Sequence, residues 1–227
     1  MFKHGEASMS TRTENYLEAV EHLPEDALLV LHNVSWSEYE ELLEDLLSWP
    51  GMRVAYNKGR LEVMSPSPKH ERIKVFIDHL VAAFCDDRGI EMEDLGSTTY
   101  KRKRDEQGAE PDVCFYVTNL EHIIGKDKIN PDSDPLPDVV VEIDISNESA
   151  HKFEIYASFG VPEIWRYEGT RMHLFQLSGK QYIEISDSRC FPGLSASVLT
   201  DFIEESTTKG RTAALRDFRE WLRTKTV

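Results

Sequence analysis

"PDVVVEIDIS", Pro137–Ser146, carries an apolar run from Val139 to Ile145 with the composition of a buried strand in all but two positions. Val139, Val140, Val141, Ile143 and Ile145 are β-branched and suit a strand interior, and Pro137 is tolerable only at its start. Yet Glu142 and Asp144 interrupt the run. Upstream, "GAEPDVCFYV", Gly108–Val117, repeats the pattern with Glu110 and Asp112. An ionised carboxylate costs several kcal/mol to bury without a partner, so two core strands that both carry acids call for an explanation. Residues two apart on a strand share a face, which puts Glu142 with Asp144 while Val141, Ile143 and Ile145 pack the other side. If the neighbouring strand presents Asp112 on that face, three acids converge at one end of the sheet. Acids that close hold either a proton or a metal ion between them. Oxygen ligands without accompanying Cys or His point to magnesium or manganese. The bland alternative is that Asp112 and Asp138, each beside a proline, cap loops and that Glu142 pairs with an arginine.

Lys152 lies on the short helix expected just after the acidic strand, in "SAHKFEIYASFG", where its ammonium can reach back to the same cleft. An exposed helix lysine is its ordinary reading. Glu62, in "GRLEVMS", points away from the apolar side of Leu61 and Val63 and is either a fourth acid or a solvent-facing residue. His70 falls on the apolar stripe of the strongest helix, where a satisfied core histidine is the usual outcome. Both rank second.

The elements around these residues follow from periodicity and punctuation. "SWSEYEELLEDLLSW" carries a helical stripe behind the cap Ser35, with Glu38 as its capping-box acid and Pro50-Gly51 as its stop. "MRVAYNKGRLEVMS" reads as a hairpin around Asn57-Lys58-Gly59, with Asn and Gly at the positive-φ positions. "SPSPKHERIKVFIDHLVAAFCDDRG" repeats apolar residues from Ile73 to Phe84 at helical spacing and closes at Gly89. "GSTTYKRKR" is β-rich, "EIWRYEG", "RMHLFQLS" and "QYIEIS" form a meander, and "LTDFIEESTTKGRTAALRDFREWLR" ends the chain as helix. Residues 1–24 read as a loose leader and 25–227 as one domain. The expected class is α+β (mixed α/β), a central mixed sheet flanked by helices.

Composition narrows the function. The 227 residues contain no apolar run long enough to span a bilayer and open on a polar stretch without a signal-peptide pattern. Cys85, Cys114 and Cys190 are odd in number and embedded in apolar sequence, as free thiols in a reducing cytoplasm would be. A formal charge of −15 argues against coating nucleic acid by bulk electrostatics. Local basic patches are "KHERIK" (Lys69–Lys74) and Lys101, Arg102, Lys103 and Arg104, either of which reads equally well as a solvated face. No Gly-rich phosphate loop and no Gly-x-Ser-x-Gly elbow is present.

Taken together, "RLEVMSPSPKHERIK", "LGSTTYKRK", "EPDVCFYV", "PDVVVEIDISNES" and "KFEIYASFGVPEIWRYEG" resemble the Uma family, formerly domain of unknown function 820, in the PD-(D/E)XK nuclease superfamily. The likeness runs from about Trp36 to Ile185. It implies a restriction-endonuclease-like fold and a magnesium- or manganese-dependent endonuclease acting on DNA. Pro111-Asp112 matches the Pro-Asp element and Glu142 the second acid, with the Ile143 carbonyl as a further ligand. Two beyond Glu142 stands Asp144 where the superfamily has Lys; relatives draw that lysine from the following helix, which Lys152 matches, and Asp144 is a possible extra ligand. Lys101 to Arg104 would hold flanking phosphates, and a homodimer is expected of an enzyme that cuts both strands. The rival expectation is a catalytically inactive module of the same fold that binds nucleic acid or protein.

Overall fold

The computed structural model describes residues 11–46, 51–146 and 149–225. Helix α1 (Thr11–Glu21) precedes strand β1 (Leu28–Leu31) and helix α2 (Trp36–Leu46). The part of the expected leader from Thr11 to Glu21 is therefore a helix: too few apolar residues announce it, but Tyr16 and Val20 bury against α2 and its sheet. Residues 1–10 lie outside the described residues. At α2 the capping box forms, with the Ser35 N–H donating to Glu38 Oε2 at 2.7 Å and the Glu38 N–H to Ser35 Oγ at 3.3 Å. Its expected stop at Pro50 lies outside the described residues.

Strands β2 (Arg53–Asn57) and β3 (Arg60–Met64) pair with Asn57 opposite Arg60, leaving a two-residue turn. The hairpin is as expected but its positive-φ residues are Lys58 (47°) and Gly59 (92°), because Asn57 remains in the strand. Helix α3 (Pro68–Arg88) starts at the cap Ser67 and ends at Gly89, whose φ of 64° is left-handed. Then follow β4 (Glu93–Asp94), β5 (Tyr100–Arg102), β6 (Gln107–Ala109), β7 (Val113–Tyr116) and β8 (Val139–Ile143). Helix α4 (Lys152–Phe159), strands β9 (Glu163–Tyr167), β10 (Met172–Ser178) and β11 (Gln181–Ile185), and helices α5 (Ala196–Lys209) and α6 (Arg211–Thr224) complete the chain. The terminal helical segment is thus two helices, broken at Gly210.

The strands form two sheets. One is antiparallel, in the order β1-β3-β2-β6-β5; the other is the expected mixed sheet, β11-β10-β9-β8-β7-β4, with β8 and β9 parallel and the remaining pairs antiparallel. Alternation sorts the mixed sheet's faces. Val113, Phe115, Val139, Val141 and Ile143 pack with α3, α5 and α6, whereas Cys114, Tyr116 and Val140 pack with α4. The first sheet packs Val54, Tyr56, Leu61 and Val63 against α1 and α2. "AEPDV" is where the chain leaves one sheet at Ala109 and enters the other at Val113, with Pro111 at the bend. Glu110 and Asp112 sit at this junction, whereas Glu142 lies within β8 and Asp144 just after it.

Cys85 and Cys114 are buried and Cys190 half-buried, all free; burial pushes each thiol up to about 12, which leaves them unreactive. Among the described residues no helix is long and apolar enough to cross a membrane.

Candidate active site

Asp112 and Glu142 each lie one residue beyond the paired Val113 and Val141, at the same end of β7 and β8. Asp112 departs from regular pairing: its N–H donates to the Val141 carbonyl at 3.0 Å, and its own Oδ2 accepts the Ile143 N–H at 2.8 Å. A side-chain oxygen thereby takes the place of a ladder carbonyl, which fixes the carboxylate between the strands. Both acids are about 98% or more buried and line one cavity with Arg53, Glu62, His70, Asp144, His151 and Lys152. The cavity holds about 40 Å³, room for an ion and a few waters.

The two sheets supply opposite walls. From the mixed sheet come Asp112, Glu142 and Ile143, and from the N-terminal turn of α4 comes Lys152, whose Nζ lies 2.7 Å from Glu142 Oε2 and 3.4 Å from the Glu110 carbonyl. One turn further along α4, the Tyr156 hydroxyl donates to Glu142 Oε1. From the first sheet come Arg53, whose Nε is 3.4 Å from Asp112 Oδ1, and Glu62. His70, in the first turn of α3, places Nε2 at 3.1 Å from Asp112 Oδ2. Two buried acids therefore face three cationic or cation-capable groups, and this compensation makes their burial affordable.

The acids differ in proton affinity. Burial pushes Glu142 up to about 7, with the nearby Asp112 charge adding to the rise and Lys152 opposing it. For Asp112 burial also raises the pKa, but His70, Lys152 and Arg53 outweigh it and the carboxyl ends below its ordinary value. Lys152 is held above its usual value because Glu142 and Asp112 outweigh the effect of burial. Two like charges brought together thus separate into one firm carboxylate and one acid that titrates near neutrality.

The remaining expected residues fall unevenly. Asp144 lines the cavity, but its Oδ2 accepts from the Ser149 N–H at 3.0 Å and the Ser149 hydroxyl at 3.2 Å, which ties down the segment entering α4. Glu62 is buried and accepts from Arg60 Nε at 2.6 Å, with His151 against its other oxygen. The four basic residues have different surroundings. Lys101 pairs with Glu40 at 3.1 Å, and Arg102 donates to the Pro131 carbonyl at 2.9 Å and stacks over Phe159. Arg104 is exposed beside Asp105 and Asp132, and Lys103 is exposed. Arg53, Tyr156 and His151 escaped the sequence reading. Tyr156 alone left a signal, its spacing of four from Lys152 on one helical face.

Whether these residues suit a divalent ion can be tested on their own atoms. Among the described residues no three His, Cys, Asp or Glu side chains gather into a ready-made metal cage. Magnesium does not require one, because it keeps several waters and is held by one or two carboxylates together with substrate phosphate. Asp112 Oδ1 is buried and makes no hydrogen bond, Arg53 Nε standing 3.4 Å away, so this carboxylate on the cavity wall keeps an acceptor for an ion. The donor set fits a hard cation.

The family model of Uma2, described as a putative restriction endonuclease, matches residues 36–206. Among solved structures the fold is similar to that of a putative nuclease belonging to DUF820 from Anabaena variabilis ATCC 29413. That similarity has a TM-score of 0.51 at 14% identity and covers 75% of this chain and 99% of that chain. No curated protein matches.

Proposed function

The chain belongs to the Uma2 family, and from that premise we propose that it is a magnesium-dependent endonuclease hydrolysing DNA phosphodiester bonds, with manganese as a substitute ion. The observation that carries this reading is the meeting of Asp112, Glu142 and Lys152 in one small cavity at the junction of two sheets. Asp112 and Glu142 would hold the ion, with the Ile143 carbonyl as a further ligand. When bound, magnesium supplies Lewis acidity that makes water a nucleophile at neutral pH and draws charge from the phosphate. Lys152 contributes a point charge to phosphate oxygens that gain charge as the bond breaks, and Tyr156 holds Glu142 in place for its role. Arg53 and His70 orient Asp112. Asp144 keeps Lys152 on target through Ser149 and the entry to α4. Lys103, with Lys101 and Arg104 nearby, meets flanking phosphates. A homodimer in the cytoplasm, which would set two such sites on the two strands, belongs to the same proposal and is checked on a sizing column.

A second reading rests on the compensation itself: Lys152, Arg53 and His70 already neutralise both acids, as they would in a non-catalytic module that binds nucleic acid or protein. Incubating plasmid with magnesium separates the two. The nuclease reading expects cutting that a chelator, Asp112→Asn and Glu142→Gln each abolish. Wild-type protein that cuts no better than those variants overturns it.

A further inference from the structure

His151 stands immediately before Lys152, at the start of α4, and turns to the other wall of the cavity. Its Nε2 meets Glu62 Oε2, and its side chain is 30% exposed while that of Glu62 is 4% exposed. Glu62 is braced on its second oxygen by Arg60, at 2.5 Å from Nη2 and 2.6 Å from Nε. Although burial pushes the Glu62 carboxyl up, His151 and Arg60 outweigh that effect and keep it ionised. A buried carboxylate held against one nitrogen of a partly exposed imidazole orients the ring. The other nitrogen is left for a group outside the dyad. None of the roles assigned above uses this pair.

Resting on the nuclease reading, we propose that His151, oriented by Glu62, is a further catalytic residue: the general acid that protonates the leaving oxygen of the phosphodiester. The oxygen of the attacking water forms the new bond to phosphorus and gives its proton to solvent. As the bond from phosphorus to the departing sugar oxygen breaks, that oxygen takes the bonding pair and the imidazolium proton, leaving a phosphate monoester and a hydroxyl. His151 recovers its proton from solvent, so one water is consumed for each bond cut. Glu62 acts through His151 and is a positioning residue.

The test compares two leaving groups in magnesium. One is the sugar oxygen of a DNA oligonucleotide; the other is nitrophenolate from thymidine 5′-(p-nitrophenyl phosphate), which departs without a proton. His151→Gln is expected to slow DNA cutting about a hundredfold, the usual worth of a positioned acid, while slowing the nitrophenyl ester less than about threefold. Glu62→Gln should show the same selectivity with a smaller loss. Equal losses on both substrates, or none on DNA, overturn the proposal. Should wild type cut DNA but leave the ester untouched, His151→Gly with added imidazole decides: restored cutting supports the acid, and no restoration overturns it. Wild-type cutting of DNA upholds the parent reading whatever the variants do, whereas wild type that cuts neither substrate sinks both.

Discussion

Glu142 carries a conflict between burial and charge that has a measurable consequence. In the folded protein it keeps its proton to about 7, against an ordinary value of 4.5. Between those values the unfolded chain has already released the proton, so the folded state binds more protons and stability falls as pH rises through the window. With chelator present, the melting temperature of wild type should decline from roughly pH 5 to pH 7 more steeply than that of Glu142→Gln, which has no proton to lose. Parallel curves would contradict the assignment. Tyr156 gives a second handle. Tyr156→Phe leaves Glu142 Oε1 without its donor, and partners of a metal-holding carboxylate are typically worth 10- to 100-fold in metal affinity; calorimetric titration with manganese should show a loss of roughly that size. Affinity equal to wild type would remove Tyr156 from the site. At this scale the sequence singles out Asp112, Glu142 and Lys152, because acids in apolar strands and a lysine on the short helix that follows stand out locally, while the pairing of β7 with β8 that joins Asp112 to Glu142 comes from the fold. Arg53 and His151 were not legible, since an arginine in a hairpin and a histidine before a helix are ordinary until the opposite wall is known.

Secondary-structure elements were the most legible level, and for local reasons. Ser35 with Glu38, Ser67 before Pro68, and Gly89 after Arg88 are capping chemistry written within a few residues, and the structure uses each of them. Helix α1 is hard to read because its helical stripe is short, and the two-residue turn is ambiguous by one position because Asn57 can satisfy either role. One element-level feature depends on absence of a side chain. Gly108, in β6, lies beneath Tyr39 of α2, which stacks on Tyr56 with ring centroids 4.7 Å apart. A Cβ at position 108 would meet Tyr39 Cζ at 3.0 Å and Lys101 Cβ at 3.2 Å and would overlap the Tyr39 hydroxyl. Gly108→Ala is therefore expected to cost about 1–3 kcal/mol in denaturant unfolding by pushing α2 off its sheet. A cost near zero would mean that Tyr39 yields freely.

The apposition of the two sheets makes the site, and this is the level that one sequence records least. Pairings such as β2 with β6, or Glu62 with His151, join residues far apart along the chain, so no periodicity announces them. The sequence reveals that acids stand where apolar strands should continue; the junction at Pro111 explains Glu110 and Asp112, and the partners Lys152 and Tyr156 explain Glu142. With an overall charge of −15, the DNA of the proposed reaction would approach against repulsion, relieved where cations gather. The account therefore stands on an ion shared between the strands. A crystal soaked in manganese and measured at the manganese absorption edge tests this most directly. The account predicts an anomalous peak within bonding distance of both Asp112 and Glu142; a structure in which manganese binds elsewhere, or touches neither carboxylate, would contradict it.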